Sequence, residues 1–260
     1  MKIDKIILAS DDNPNYLDLW KYVSKVCKLT LGITPVLFHI TDEYSDFFQD
    51  EYGLVKKIKK HPDIPTSFQA QLYRLYGTKF FWNETCLISD IDMFTFNYDY
   101  FVNQVSKFDQ DDFIIFLSDA YDLSRSDTQQ MWGLNRIPMC YVLGKGETIY
   151  TLIGSNCDFN EFVERVSHFD FGYEFPLFHR DEIFLGKSVL RNFHNINIVK
   201  LNRNIENVNF IPGRINREDF YNFNYDLLFD KQFIDCHIPS DWKNNLVFFE
   251  KVVKSILTYN

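Results

Sequence analysis

Short apolar runs alternate with amphipathic stretches in the first part of the chain. Residues 5–10 (KIILAS) form an apolar run of strand length, and residues 14–30 carry apolar side chains at helical spacing. Residues 34–41 (TPVLFHIT) form a second run. The order predicts a strand, a helix and a strand, which is typical of a parallel sheet with both faces covered.

The alternation continues beyond residue 60. Residues 65–77 predict a helix in which Thr66 and Gln69 are spaced as a capping box and Gly77 ends the helix. A polar stretch at residues 124–130 separates two later strands. Strands are predicted at residues 85–89, 112–117, 138–143 and 196–201, and helices from about residue 98 and at residues 158–169 and 180–190.

The chain beyond residue 202 is rich in Asn and predicts irregular structure before a final amphipathic helix at residues 244–259. Lys243, Lys251 and Lys254 lie near the apolar stripe of this helix. A basic amphipathic helix can lie on a membrane surface, but docking of the stripe on the protein core is favoured. With no internal repeat, the prediction is one α/β domain.

Composition narrows the functional classes. The 260 residues are 46% apolar, enough for one core without disulfides, and the formal charge of −9 disfavours a nucleic-acid partner. An acidic protein can still bind a polyphosphate when a cation lies between the two. Five scattered cysteines without a CxxC pair indicate reduced thiols in a cytoplasmic protein. The charged N-terminus disfavours a secretory leader, and no apolar stretch reaches the ~18 residues of a membrane span.

Candidate chemistry lies after the strand at residues 85–89, because ligands of open α/β sheets collect beyond the carboxyl ends of strands. Asp90 and Asp92 follow this strand directly. Two carboxylates at this spacing can face one ion if the strand unwinds, and oxygen ligands suit Mg²⁺ or Mn²⁺. An Asp-x-Asp pair also commonly caps a turn, so its surroundings decide between the two interpretations.

Those surroundings resemble the donor site of GT-A glycosyltransferases. The resemblance lies in residues 67–94 (SFQAQLYRLYGTKFFWNETCLISDIDMF) and in the opening KIILASDDNPNYLDLW. Residues 137–146 (IPMCYVLGKG) and 179–186 (HRDEIFLG) resemble the acceptor-side strand and an acidic helix start of the same group. The resemblance spans roughly residues 3–200 and is nearest to small glycosyltransferases encoded by large DNA viruses.

The resemblance implies a GT-A fold, a Rossmann-like mixed and mostly parallel sheet flanked by helices. It divides a single domain of residues 1–260 into a nucleotide-sugar-binding half (1–110), an acceptor half (111–200) and a C-terminal extension (201–260). The implied activity is transfer of a sugar, from a UDP-sugar by preference, to a glycan or other hydroxyl acceptor. The implied cofactor is Mn²⁺ or Mg²⁺.

The resemblance also assigns site residues by position. Asp92 would be the principal metal ligand, and Asp90 would serve both the metal and the donor ribose. Further donor-binding residues would be Ser10, Asp12 and Tyr16 around the nucleoside and Arg74 near the phosphates. Each assignment has a structural alternative, since Arg74 can pair with a carboxylate across a helix surface and Tyr16 can belong to the core.

Two further assignments complete the candidate site. An inverting transfer needs a base, and Asp181 and Glu182 open a predicted helix where a carboxylate could equally be a cap. His237 matches the third metal ligand that GT-A enzymes commonly take from their C-terminal part, which would favour Mn²⁺ over Mg²⁺. A lone His is more often structural. The HxxGxxK string of retaining enzymes is missing, which leaves the third ligand and the stereochemistry open.

Other classes remain at this point. A haloacid dehalogenase-type phosphohydrolase also places Asp-x-Asp after a buried strand, but that family carries its motif near the N-terminus and has Thr or Val where Phe94 stands here. A sugar nucleotidyltransferase would need a glycine-rich loop at residues 10–16, which is absent. A non-catalytic module that binds a nucleotide-sugar would share the fold without the chemistry.

Overall fold

The computed structural model describes residues 1–118, 136–169, 179–192, 194–203, 213–230 and 232–258. The polar stretch at residues 124–130 lies outside these ranges. The described strands are, in chain order, β1 (Lys5–Ser10), β2 (Thr34–Thr41), β3 (Phe48–Gln49), β4 (Leu54–Lys59), β5 (Thr85–Ser89), β6 (Met93–Thr95), β7 (Phe113–Ile115), β8 (Tyr141–Lys145), β9 (Ile198–Lys200), β10 (Gly213–Ile215) and β11 (Phe233–His237).

Helices cover both faces of the sheet that most of these strands form. A 3₁₀ turn (Gly77–Phe81) and a π-helical turn (Asp99–Asn103) accompany them, the latter where a helix was expected from about residue 98. The described helices are α1 (Pro14–Leu17), α2 (Trp20–Leu31), α3 (Thr66–Tyr76), α4 (Gly146–Leu152), α5 (Phe159–Ser167), α6 (Arg180–Asn192), α7 (Tyr225–Phe229) and α8 (Leu246–Leu257).

The described strands form two sheets. Eight of them make a mixed sheet in the order β3-β4-β2-β1-β5-β8-β7-β9, and β10, β11 and β6 make a smaller one. At the centre of the large sheet, β1 pairs in parallel with both β2 and β5, which confirms the predicted β-α-β opening. The predicted α/β class, a mixed and mostly parallel sheet flanked by helices, is therefore the observed one.

The central strands are apolar throughout because both faces of the sheet are buried. Along β1, Ile6 and Leu8 enter the apolar cluster that includes α2 and α8, whereas Ile7 and Ala9 enter the cluster that includes α3 and α5. Alternate side chains of one strand thus fill two cores. The polar residues that follow β1 and β5 lie where this packing stops.

The predicted helix at residues 14–30 is interrupted, so α1 and α2 are separate. In a continuous helix the Asn15 carbonyl would accept a hydrogen bond from the Leu19 amide. Instead the Leu19 amide donates to the Tyr16 carbonyl at 3.0 Å, and the Trp242 indole Nε1 donates to the Asn15 carbonyl at 2.9 Å. A contact from the C-terminal region therefore ends α1.

The predicted capping box of α3 is wrong. The Thr66 hydroxyl donates to Asp11 Oδ2 at 2.8 Å, and the Gln69 amide Nε2 donates to the carbonyls of His61 (2.9 Å) and Ile64 (2.6 Å). Both side chains thus tie the loops around α3 together instead of capping its amides. The predicted end of α3 at Gly77 is confirmed, since Gly77 is the C-cap residue with a φ of −67°, and a 3₁₀ turn follows.

The predicted irregular region after residue 202 contains β10, α7 and β11, so that prediction is wrong as well. The final helix α8 docks on the core through Phe249, Val252, Val253 and Ile256. None of the helices in the described ranges combines the length and apolar character that a membrane crossing requires. The five cysteines are free thiols.

Candidate active site

A cleft of about 590 Å³ opens at the carboxyl ends of β1 and β5. Four parts of the chain meet there: the residues after β1, one face of α3, the residues after β5, and the start of α6. The lining contains predicted site residues from all four parts together with the end of β11, namely Ser10, Tyr16, Arg74, Asp90, Asp92, Asp181, Glu182 and His237.

Asp90 and Asp92 lie at a crossover between the two sheets. The strand β5 is buried along its whole length in the large sheet, and β6 begins directly after Asp92 and pairs with β11 in the small sheet. Between the two acids, Ile91 joins the apolar core. The chain therefore leaves one sheet and enters the other at the Asp-Ile-Asp segment, which places both carboxylates at the cleft.

The pairing of β6 with β11 brings His237 next to Asp92. His237 is in register with Met93, and the Ile238 amide donates to the Asp92 carbonyl at 2.8 Å. His237 Nε2 lies 3.5 Å from Asp92 Oδ2. The histidine proposed from its position alone is thus held beside the second acid by backbone hydrogen bonds.

Arg217 also contacts Asp92, and the sequence analysis missed it. It lies in the turn after β10, and one of its terminal guanidinium nitrogens donates to Asp92 Oδ2. Burial alone would raise the pKa of Asp92, but the His237 hydrogen bond and the charges of His237 and Arg217 hold that pKa below its ordinary value. Asp92 is therefore ionised at neutral pH.

Arg74 connects two other acids of the cleft. It lies on α3, contacts Asp90 through one terminal nitrogen and donates to Asp181 Oδ2 at 2.9 Å through the other. Burial favours loss of its proton, yet the charges of Asp90 and Asp181 raise the pKa of Arg74. The predicted alternative for Arg74, pairing with carboxylates, is what the structure shows, and the residue still lines the cleft.

Asp181 and Glu182 occupy the first turn of α6 and also reach the cleft. Burial raises the pKa of Asp181 to about 7, against the opposing effect of Arg74. Its Oδ1 accepts a hydrogen bond from the Glu182 amide at 2.9 Å. Glu182 contacts the Arg136 guanidinium and lies 3.7 Å from His179 Nδ1. The two adjacent acids therefore have separate arginine partners.

The residues predicted to surround a nucleoside do not all line the cleft. Ser10 and Tyr16 line the cleft, but Asp12 is exposed beside it and its Oδ1 lies 2.7 Å from His39 Nε2. The neighbouring Asp11 lines the cleft instead and accepts the Thr66 hydroxyl bond. Which of the two consecutive acids faces the cleft depends on a contact with α3.

The ligand chemistry of Asp92 and His237 suits a divalent cation. Cation-bound atoms about 2.1 Å from an ion lie about 3–3.5 Å from one another, which matches the separation of Asp92 Oδ2 and His237 Nε2. Among the described residues, no group of three or more His, Cys, Asp or Glu side chains could hold a metal ion, so the predicted ligand set of Asp90, Asp92 and His237 is not brought together. Asp90 contacts Arg74 instead. Asp92 and His237 would therefore share the ion with a bound ligand or water, and Arg217 would have to leave Asp92 Oδ2.

Comparisons with known proteins relate the chain to glycosyltransferases of known structure. No protein-family profile matches the sequence, and no curated protein matches it. A galactosyltransferase, LgtC, in complex with donor and acceptor sugar analogs, aligns over 98% of this chain and 95% of its own, with a TM-score of 0.50 and 11% identity. The chain shares this fold. The glycosyltransferase GlyE of Streptococcus pneumoniae TIGR4 aligns over 99% of this chain and 63% of its own, with a TM-score of 0.49 and 13% identity.

Proposed function

We propose that the chain is a metal-dependent glycosyltransferase that moves a sugar from a nucleoside-diphosphate sugar, by preference a UDP-sugar, to a hydroxyl group of a glycan or another acceptor. The observation that carries the proposal is the juxtaposition of Asp92 and His237 at the crossover between the sheets, with arginines on both sides of the same cleft. Paired acidic and basic groups suit a diphosphate that is bound through a cation.

The charge of the cleft supports this class of ligand. Its described lining contains more carboxylates than arginines, so a free polyphosphate would meet net repulsion. A divalent cation would offset the excess and bridge the acids to the diphosphate. The charged groups of the lining are the carboxylates Asp11, Asp90, Asp92, Asp181 and Glu182 and the arginines Arg74, Arg136 and Arg217.

The proposed chemistry divides between the two sides of the cleft. A divalent cation on Asp92 and His237, when bound, would supply Lewis-acid stabilisation of the leaving diphosphate. Asp181 would accept the proton of the acceptor hydroxyl. In the same step the hydroxyl oxygen would form a bond to the anomeric carbon of the sugar, and the bond between that carbon and the diphosphate would break. A base with a pKa of about 7 is suited to this step at neutral pH. Attack by the acceptor itself gives inversion.

The fold is compatible with these two ligands. A galactosyltransferase that shares it binds donor and acceptor sugar analogs. We assign the donor to the Ser10, Tyr16 and Asp90 side of the cleft and the acceptor to the side of Asp181 and Glu182. The acceptor is expected to be a carbohydrate or glycoconjugate.

A turnover assay with a panel of nucleotide-sugars tests the proposal. The purified chain is incubated with each nucleotide-sugar in Mn²⁺, in Mg²⁺ or in a chelator, and the released nucleoside diphosphate is measured. We expect slow metal-dependent release without an acceptor and faster release with one. Asp92→Asn should abolish release, whereas Asp42→Asn, which removes an exposed acid paired with Lys60, should not.

Two other results would identify a different function. A nucleotide-sugar that raises the unfolding temperature without being turned over would indicate a binding module. Metal-dependent hydrolysis of a phosphate monoester, with no sugar transfer, would indicate a phosphohydrolase. Either result would replace the proposal.

A further inference from the structure

Two basic side chains compete for one carboxylate oxygen in the cleft. Arg217 donates to Asp92 Oδ2, and His237 Nε2 lies 3.5 Å from the same atom. A cation bound by Asp92 and His237 would lie within contact distance of the guanidinium group. Two positive groups that close together repel each other strongly in a partly buried site. The ion and Arg217 therefore exclude one another at Asp92.

Arg217 is the group that would move, because its side chain is less buried than that of Asp92. Its side chain is 40% exposed, whereas that of Asp92 is 8% exposed. Among the described residues, the buried Nε of Arg217 has no hydrogen-bond partner. A partly exposed arginine that is held by one carboxylate gains less from that pair than a fully buried one does. Asp92 is buried and needs a positive neighbour, so it releases the arginine most readily when another cation takes its place.

We propose that Arg217 is an exchangeable partner of Asp92 that binds the donor diphosphate when a divalent cation binds Asp92 and His237. The guanidinium group suits this second role because its planar array of donors matches phosphate oxygens. The inference rests on the proposed function, since it requires a diphosphate ligand in this cleft. The consequence of the exchange is that the cation and the diphosphate bind cooperatively. The cation replaces Arg217 as the partner of Asp92, and the diphosphate replaces Asp92 as the partner of Arg217.

Titration of Mn²⁺ alone tests the first half of the exchange. By calorimetry, Arg217→Gln should bind Mn²⁺ at least about fivefold more tightly than the unmodified chain, because the competing guanidinium is gone. Arg165→Gln is the matched control. It removes an arginine that lies outside the cleft, on α5, where its guanidinium donates to the Ile153 carbonyl at 3.3 Å, so its Mn²⁺ affinity should not change.

Titration of Mn²⁺ in saturating inorganic pyrophosphate tests the second half. The unmodified chain should gain at least about fivefold in Mn²⁺ affinity, and Arg217→Gln should gain distinctly less. An unchanged or weaker affinity of Arg217→Gln for Mn²⁺ alone, or an equal gain with pyrophosphate in both proteins, would overturn the exchange.

The turnover assay separates this inference from the proposed function. If the unmodified chain releases nucleoside diphosphate in a metal-dependent way while Arg217→Gln binds Mn²⁺ no more tightly, the exchange is wrong and the glycosyltransferase proposal stands. If Arg217→Gln binds Mn²⁺ more tightly but no nucleotide-sugar is turned over, the competition at Asp92 stands and the assignment of glycosyl transfer is wrong.

Discussion

Two arginine-carboxylate contacts in the cleft differ in how they are held. Arg74 projects from α3, is 4% exposed and contacts both Asp90 and Asp181. Arg217 projects from a turn, its side chain is 40% exposed, and its ion pair among the described residues is with Asp92. The first arginine is buried and the second is partly exposed. The same pair of residue types can therefore fix one part of a site and leave another part open to exchange.

The physical reason is the different consequence of removing each partner. Loss of a buried arginine leaves buried charges without compensation, which is strongly unfavourable. A partly exposed arginine already interacts with solvent and gains less from its pair. We infer that the Arg74 side sets the geometry of the cleft and that the Arg217 side responds to ligands.

The largest expected effect concerns Asp181, the proposed base, which pairs with Arg74. Asp181→Asn should lower kcat by about 10²–10⁴-fold, because the acceptor hydroxyl would lose its proton acceptor. Nucleotide-sugar affinity should fall much less than kcat, because the variant keeps a polar side chain of the same shape beside Arg74. Steady-state kinetics and calorimetric donor binding check both parts. Unchanged turnover would remove the assignment of Asp181, and loss of donor binding would make it a structural residue.

The next prediction compares the two arginines directly through stability. Arg74→Gln should lower the free energy of unfolding by about 3–5 kcal/mol, because Asp90 and Asp181 lose their shared cation. Arg217→Gln should lower it by about 1 kcal/mol or less, because the Arg217 side chain is partly exposed and His237 remains beside Asp92. Denaturant unfolding of both variants measures the difference. Equal losses would show that the two sides are held alike.

The third prediction concerns how the stability of the folded chain depends on pH through Asp181. The raised pKa of Asp181, about 7, means that the folded chain binds this proton more tightly than the unfolded chain does. Its contribution to stability is therefore present at low pH and is lost as pH rises through about 7. Asp181→Asn should flatten the dependence of the unfolding free energy between about pH 4 and 7. In the same range, kcat/KM of the unmodified chain should rise with pH, because the base must be deprotonated. A flat profile contradicts the assignment.

The central strands and the acids after β5 could be predicted because their signals are local. The apolar run of residues 85–89 predicts a buried strand, and the Asp-Ile-Asp segment follows it directly. His237 could be proposed through the resemblance, although the strand that holds it was not predicted. The short segments β6, β10 and β11 depend on pairing partners that are distant in the sequence, so they lack a local pattern of their own.

Arg217 could not be predicted for the same reason. It is separated from Asp92 by 125 residues and reaches it only because β10 pairs with β11 and β11 pairs with β6. Similarly, Asp11 and Asp12 are equivalent in the sequence, and the contact of Thr66 with Asp11 distinguishes them in the structure. The local spacing predicted that Thr66 caps the helix, but in the structure its hydroxyl makes this tertiary contact instead.

Anomalous diffraction at the manganese edge, from crystals grown with Mn²⁺ and uridine diphosphate, tests the central claim most directly. We predict one strong anomalous peak within bonding distance of both Asp92 and His237. Diphosphate oxygens should bind the same ion, and Arg217 should contact the phosphates. A nucleotide bound in the cleft with no anomalous peak at Asp92, and with Arg217 still on that carboxylate, would contradict it.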